Sequence, residues 1–189
     1  MPTEIEFDAA THTYRVSGEE VIGVTRVLVE SGLIDTRFFT ELGRARGSAA
    51  HQALEFLDQG DLDEESLDPK ITGFVAAYQS FKDDSGFEVE QIEQRVFHPT
   101  YRFAGTFDRT GKLNAHPIIL EFKTTSIPPT TPIQLSAYEA CLPDRRRRYA
   151  VQLLADGKYR LHEYKDRNDF KIFLAALAVM RWKSNNGVE

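Results

Sequence analysis

Gly105-Thr106-Phe107-Asp108, followed thirteen residues later by Glu121-Phe122-Lys123 at the end of the run Pro117-Ile-Ile-Leu, is the part of this 189-residue sequence on which the reading turns. The run over 117–123 has the composition of a buried strand, and residues 101–108 are aromatic-rich and strand-like. On a strand, residues two apart share a face, so Glu121 and Lys123 project together while Phe122 turns to the other side. If the strand carrying Asp108 pairs with this one, two carboxylates and an ammonium converge at one point. Paired oxygen anions suit a hard divalent cation such as Mg²⁺ or Mn²⁺, and a lysine beside them offsets charge on a phosphate or orients a water. That is equipment for phosphodiester hydrolysis. The same spacing also arises as plain surface charge, with Asp108 a turn aspartate before Arg109-Thr110-Gly111 and Glu121 paired with Lys123 across strands.

Working outward, residues 87–97 alternate between polar and apolar, which makes three consecutive strands up to Lys123. Upstream, residues 5–24 read as short strands broken at Ser17-Gly18, an N-terminal hairpin. Thr25 caps a helix carrying Val27 and Leu28, and a second helix runs from Asp35-Thr36 toward Leu42. After Gly47, residues 48–58 form a helix with Ala50, Ala53, Leu54 and Leu57 on one face. The acidic stretch 58–68 reads as a solvated linker ending at Pro69, with a helix over 69–81 beyond it. Downstream, Pro132 opens a helix over 131–142. Residues 149–154 and 159–164 make strands around Asp156-Gly157, and an amphipathic helix over 168–182 is built on Phe170, Phe173, Leu174, Leu177 and Met180. The order αα…βββαββα, without repeats, predicts one α/β (α+β) layered domain over 1–189.

Composition supports a packed core, with 41% hydrophobic and 11% aromatic residues. Lys+Arg 23 against Asp+Glu 29 leaves a net charge of −6. That excludes a protein that coats nucleic acid by bulk charge, so any polyanion must meet a local basic patch or a metal ion. The tract Arg145-Arg146-Arg147-Arg148 is either a solvated turn or such a phosphate-binding edge, and Arg44 and Arg46 are placed to line the same groove. One cysteine, Cys141, cannot make an internal disulfide or a cysteine-ligated metal site, and it fits core packing in a reducing cytosol. The opening lacks a basic and an apolar region and no run reaches membrane-span length, so the expectation is a protein neither secreted nor membrane-inserted.

The ordered motifs resemble the PD-(D/E)XK nuclease superfamily, in its RecB and lambda-exonuclease branch of phage-type exonucleases. Gly47-Ser-Ala-Ala-His51 is similar to that branch's helical Gly-x-x-x-His element, and Glu93 to the acid of the next strand, where Glu88 and Glu90 lie on the same stretch and only the spacing from Gly105 favours Glu93. Gly105-Thr-Phe-Asp108 matches Gly-x-x-Asp, Glu121-Phe-Lys123 matches (D/E)-x-K, and Gln134-Leu-Ser-Ala-Tyr138 matches Gln-x-x-x-Tyr. The lead-in with Phe7-Asp8, His12-Thr13-Tyr14, Gly18 and Val24-Thr-Arg-Val-Leu28 is also similar. The resemblance covers residues 5–155.

The resemblance implies a restriction-endonuclease-like core, a central mixed sheet flanked by helices, at 47–189, with an N-terminal hairpin and helices at 1–46. It implies one or two Mg²⁺ or Mn²⁺ ions held by His51, Asp108, Glu121 and the Phe122 carbonyl, with Lys123 as the catalytic lysine. Glu93 becomes an acid acting through water or a ligand, and Gln134 and Tyr138 contact nucleic acid or steady the strand. Cys141 stands alone, so the iron–sulfur cluster of some relatives is not expected. An imidazole among oxygens favours Mn²⁺ over Mg²⁺. The implied activity is a DNA exonuclease of phage or bacterial recombination, repair or end-processing in the cytoplasm, with a recombinase or single-strand annealing protein as partner. The rival readings are a non-catalytic DNA-binding or assembly module of the same fold and a structure-specific endonuclease. Each residue also has a plainer reading: His51 as a half-buried histidine, Gln134 and Tyr138 as packing and surface residues one helical turn apart.

Overall fold

In the computed structural model, which describes residues 4–38 and 40–188, Ser17 and Gly18 both take left-handed backbone angles, φ 53° and 80°. Two such residues make the tight turn whose twist matches that of strands. They join strand β2 (Thr13–Val16) to β3 (Glu19–Gly23), and β1 (Ile5–Asp8) pairs with β2 on its other edge. The expected hairpin is therefore a three-stranded meander. Helix α1 (Val24–Glu30) follows directly, with Gly23 rather than a side chain at its cap.

The second helix expected over 35–42 is only a 3₁₀ turn at Thr36–Phe38; residue 39 lies outside the described residues. Helix α2 (Glu41–Gln59) then starts well before Gly47, because the Thr40 hydroxyl accepts the Gly43 N–H at 3.1 Å and supplies an N-cap. Arg44 and Arg46 thus ride on the helix that carries His51. Helix α3 (Pro69–Ser85) begins as expected, with the Asp68 carboxylate accepting the Lys70 N–H and Pro69 in the first turn. Then come β4 (Glu88–His98), β5 (Phe103–Leu113), β6 (His116–Lys123), α4 (Thr131–Ala140), β7 (Arg147–Leu153), β8 (Tyr159–Tyr164) and α5 (Asp169–Asn186).

The eight strands among the described residues join one mixed sheet in the order β1-β2-β3-β5-β6-β7-β8, with β4 on the far edge of β5. Pairing is parallel for β3 with β5 and for β6 with β7, and antiparallel elsewhere. Since β4 occupies one edge of β5 from end to end, β3 and β6 must share the other. There β3 pairs only at Phe103 and Ala104, and β6 only from Arg109 to Leu113. Between them Gly105–Asp108 is left without a partner strand, a fork in the sheet. Beyond Leu120, β6 leaves β5 and stays with β7.

Strand alternation sorts β6 between two cores. Ile118, Leu120 and Phe122 pack with Leu54, Phe74, Tyr78 and Phe81 of α2 and α3. Ile119 packs with Val27 and Leu28 of α1, Leu135 of α4 and Phe173 and Leu177 of α5. The result is a central mixed sheet flanked by helices on both faces.

Asp58, read from sequence as the start of a solvated linker, instead has its side chain wholly buried at the end of α2. It accepts hydrogen bonds from Arg109 Nε at 2.8 Å, from the Tyr78 hydroxyl at 2.7 Å and from Lys82 Nζ at 2.8 Å. Arg109 is itself fully buried, its guanidinium also lying over the Phe122 ring. A buried ion pair is a poor source of net stability, yet removing one partner strands the other charge out of water. Asp58→Ala is therefore expected to lower unfolding free energy by about 3–5 kcal/mol, whereas Asp61→Ala, in the exposed part of the same stretch, shifts it by no more than about 0.5 kcal/mol. Urea denaturation of the two variants measures the contrast.

Candidate metal centre

The fork is closed by side chains rather than by backbone pairing. Asp108 Oδ2 accepts the Phe122 N–H at 2.6 Å, replacing the ladder bond that β6 loses as it turns away. On the other side of the gap, a Cβ on Gly105 would stand 2.4 Å from the Tyr138 ring, so only glycine lets α4 seat its tyrosine there. Thr106 is tied to the Tyr14 hydroxyl of β2 at 3.0 Å. The Gly-x-x-Asp element thus reads physically as a gap that admits a ring at one end and offers a carboxylate at the other.

His51, Glu93 and Asp108 converge at this carboxylate. Their candidate ligand atoms all lie within 4.8 Å of one another, and His51 Nδ1 is 3.4 Å from Asp108 Oδ1. Glu93 reaches the group through an unusual backbone: it sits in β4 with φ 47°, a left-handed angle in the middle of a strand. Its neighbours Ile92 and Gln94 keep register with Arg109 and Phe107. Arg109 holds the arrangement from beneath, its Nη1 donating to Glu93 Oε1 at 3.3 Å and to the Asp108 carbonyl at 2.6 Å. Asp58 stands seven residues after His51 on α2, two turns along the same helix face, so the Asp58–Arg109 pair fixes the height of that face against β5. Sequence reading missed both residues of the pair, which are far apart in the chain and fit no motif.

Glu121 and Lys123 do share a side of β6, Nζ to Oε1 at 2.9 Å. Gln134 of α4 donates to the same Glu121 oxygen at 3.1 Å and to the Tyr138 hydroxyl at 3.0 Å. Glu121 Oε2 is buried without a hydrogen-bond partner among the described residues. An unpartnered carboxylate oxygen in a buried anionic site is what a hard cation satisfies, and the oxygen-plus-imidazole donor set fits a divalent ion. The structure thus draws in Glu93 beside His51 and Asp108, while Glu121 faces Lys123 and Gln134.

The arginines separate. Arg44 is exposed seven residues before His51 on the same face of α2, and the Arg46 guanidinium lies 5.9 Å from the Phe74 ring. Arg146 pairs with Glu90 at 2.8 Å and with Asp144, and Arg148 is buried against Asp169 at 2.8 Å and Glu139 at 3.4 Å. These two hold the fold together, whereas Arg145 and Arg147 stay exposed.

The charges brought together shift one another. Burial opposes the imidazolium of His51, but Asp108, Glu121 and Glu93 outweigh it and raise the group to about 9. Burial and the charge of Asp108 push Glu93 up to about 8. Against the cost of its own burial, Asp108 is held below the ordinary carboxylate value by His51, Lys123 and the Phe122 N–H. Burial and Asp108 raise Glu121. Lys123 stays charged well into the basic range, since Glu121 and Asp108 outweigh its desolvation.

The chain matches no protein-family model and no curated protein. It is similar to solved structures of an alkaline exonuclease, LHK-Exo, from Laribacter hongkongensis. At 16% identity and a TM-score of 0.43, one covers 88% of this chain and 93% of that one. The other, LHK-Exo in complex with dAMP, gives 15% identity, a TM-score of 0.45, and coverage of 88% and 89%. Among the described residues no helix is long and apolar enough to cross a membrane.

The shifted values set a sign for stability against pH. A histidine raised from 6.5 to about 9 on folding stabilises the folded state fully below pH 6.5, and that contribution is lost as pH rises through about 9. Glu93, raised from 4.5 to about 8, resists ionising in the folded protein and acts in the same direction. In EDTA the melting temperature is expected to fall between pH 6.5 and 9, and to fall less steeply in His51→Gln. A flat profile in the wild type would refute this electrostatic account.

Proposed function

We propose that the chain is a metal-dependent deoxyribonuclease of the PD-(D/E)XK superfamily, acting as an exonuclease. The observation that carries the reading is the convergence of His51, Glu93 and Asp108 beside the Glu121–Lys123 pair at the fork. Sequence motifs and geometry point the same way, because the elements Gly-x-x-x-His, Gly-x-x-Asp, (D/E)-x-K and Gln-x-x-x-Tyr supply the side chains that surround one gap in the sheet. The preference for exonuclease over endonuclease rests on the motif resemblance.

In this reading one or two Mg²⁺ or Mn²⁺ ions are held by His51, Glu93 and Asp108, with Glu121 Oε2 and the Phe122 carbonyl as further donors. When bound, the ion lowers the pKa of water and stabilises charge on the phosphate. The protein's own part is positional and electrostatic. Glu121 fixes the Lys123 ammonium, which stays protonated and is placed to hold the scissile phosphate or its attacking water. Gln134 orients Glu121 and Tyr138 fills the fork behind it, so both steady the strand that carries the signature. Arg44, on the His51 face of α2, and Arg46 extend the basic wall toward a nucleic-acid backbone. The setting proposed is recombination, repair or end-processing in the cytoplasm of a phage-infected or bacterial cell. A recombinase or single-strand annealing protein is the proposed partner.

Digestion of end-labelled linear DNA is the test. Mononucleotides should be released from one end with Mn²⁺ or Mg²⁺ and not in EDTA, while a circular single strand stays intact. Lys123→Ala should slow release by about 100-fold or more with DNA still bound, and Glu121→Ala should do likewise. Cutting of the circle would replace exonuclease by endonuclease. Retained binding with no cleavage under any metal would favour a binding module.

A further inference from the structure

The exposed arginines of the 145–148 tract belong to a second place in the fold. A cavity of about 550 Å³ opens where β6 and β7 begin and β8 ends, with Pro117, Glu139, Arg145, Arg147, Tyr164 and Arg167 on its wall. It lies at the end of β6 opposite Lys123. Lys123 is six residue steps along β6 from Pro117, a span of about 20 Å at roughly 3.3 Å per step. Helix α4 connects the two places, with Gln134 at the fork and Glu139 at the cavity.

The carboxylates here are already engaged: Glu139 with Arg148 at 3.4 Å and Glu163 with Lys165 at 2.7 Å. Two guanidinium groups are left over: those of Arg145 and Arg167 have no hydrogen-bond or ion-pair partner among the described residues. Arg147, exposed on the same wall, is engaged by the Tyr149 hydroxyl and faces Glu163. A protein of net charge −6 that gathers uncommitted arginines around one opening has built a local attraction for anions. Arginine's planar fork suits phosphate oxygens better than a point charge would.

We propose that Arg145, Arg147 and Arg167 form a second nucleic-acid contact that grips the phosphodiester backbone about 20 Å from the cleavage point. It rests on the nuclease reading for the identity of its ligand, and it makes the enzyme sensitive to substrate length. At roughly 3.4 Å per stacked nucleotide the span corresponds to about six nucleotides. A strand shorter than that reaches only the fork.

The test compares wild type with Arg145→Gln/Arg147→Gln/Arg167→Gln by fluorescence anisotropy of a labelled 20-base-pair duplex in EDTA, across a salt series. Dinucleotide binding is followed by NMR, and thermal melts check the fold. Three lost phosphate contacts should flatten the slope of log affinity against log salt by two to three units, at about 0.9 per contact. Dinucleotide binding and the melting temperature should not change. An unchanged slope would overturn the proposal. So would equal losses for duplex and dinucleotide, or capture of poly-glutamate but not DNA. Because EDTA prevents turnover, failure of cleavage in the separate digestion would count against the nuclease and leave this result standing.

Discussion

One hydrogen bond organises the site: the Asp108 carboxylate receiving the Phe122 N–H across the fork. β6 must leave β5 to follow β7, and leaving strands a backbone donor in a buried place, a cost comparable to a lost hydrogen bond. A carboxylate oxygen satisfies it and, being charged, does so more strongly than a carbonyl. The second oxygen of the same group is thereby aimed at His51. The bond that repairs the sheet is therefore also the bond that orients a candidate ligand, and neither role can be altered without the other.

Beneath that point lies a buried cationic support. Arg109 touches Asp58, Glu93 and the Asp108 carbonyl, joining α2, β4 and β5 through a single guanidinium. Its position explains how the His51, Glu93 and Asp108 side chains, from three elements, come within 4.8 Å of one another without direct backbone contact among all of them. It also offsets part of the mutual repulsion of the carboxylates gathered above it.

Much of this was legible in the sequence for identifiable reasons. Alternation in Pro117–Lys123 and the spacing of the motif residues place Glu121, Lys123, Gln134 and Tyr138 on neighbouring surfaces, because strand and helix periods are fixed by backbone geometry. What was not legible depends on distant partners. Asp58 looks like one more acid in an acidic run until Arg109, Tyr78 and Lys82 arrive around it. Arg148 looks like its neighbours until Asp169 and Glu139 enclose it. The start of α2 escaped notice because Gly43 and Gly47 weaken the helical pattern that Thr40 nevertheless caps. The left-handed backbone at Glu93, φ 47°, which brings its carboxylate beside His51 and Asp108, has no signal in a strand's period-two pattern.

That left-handed residue carries an evolutionary consequence. A non-glycine residue there costs on the order of 1–3 kcal/mol, so the sequence maintains a strained glutamate where glycine would rest easily. Selection for thermal robustness alone would drift toward glycine at this position and remove a carboxylate from the cluster with His51 and Asp108, whereas selection for that cluster would preserve the strain. Position 93 is thus where an unstrained backbone and an intact acidic cluster make opposite demands on one codon.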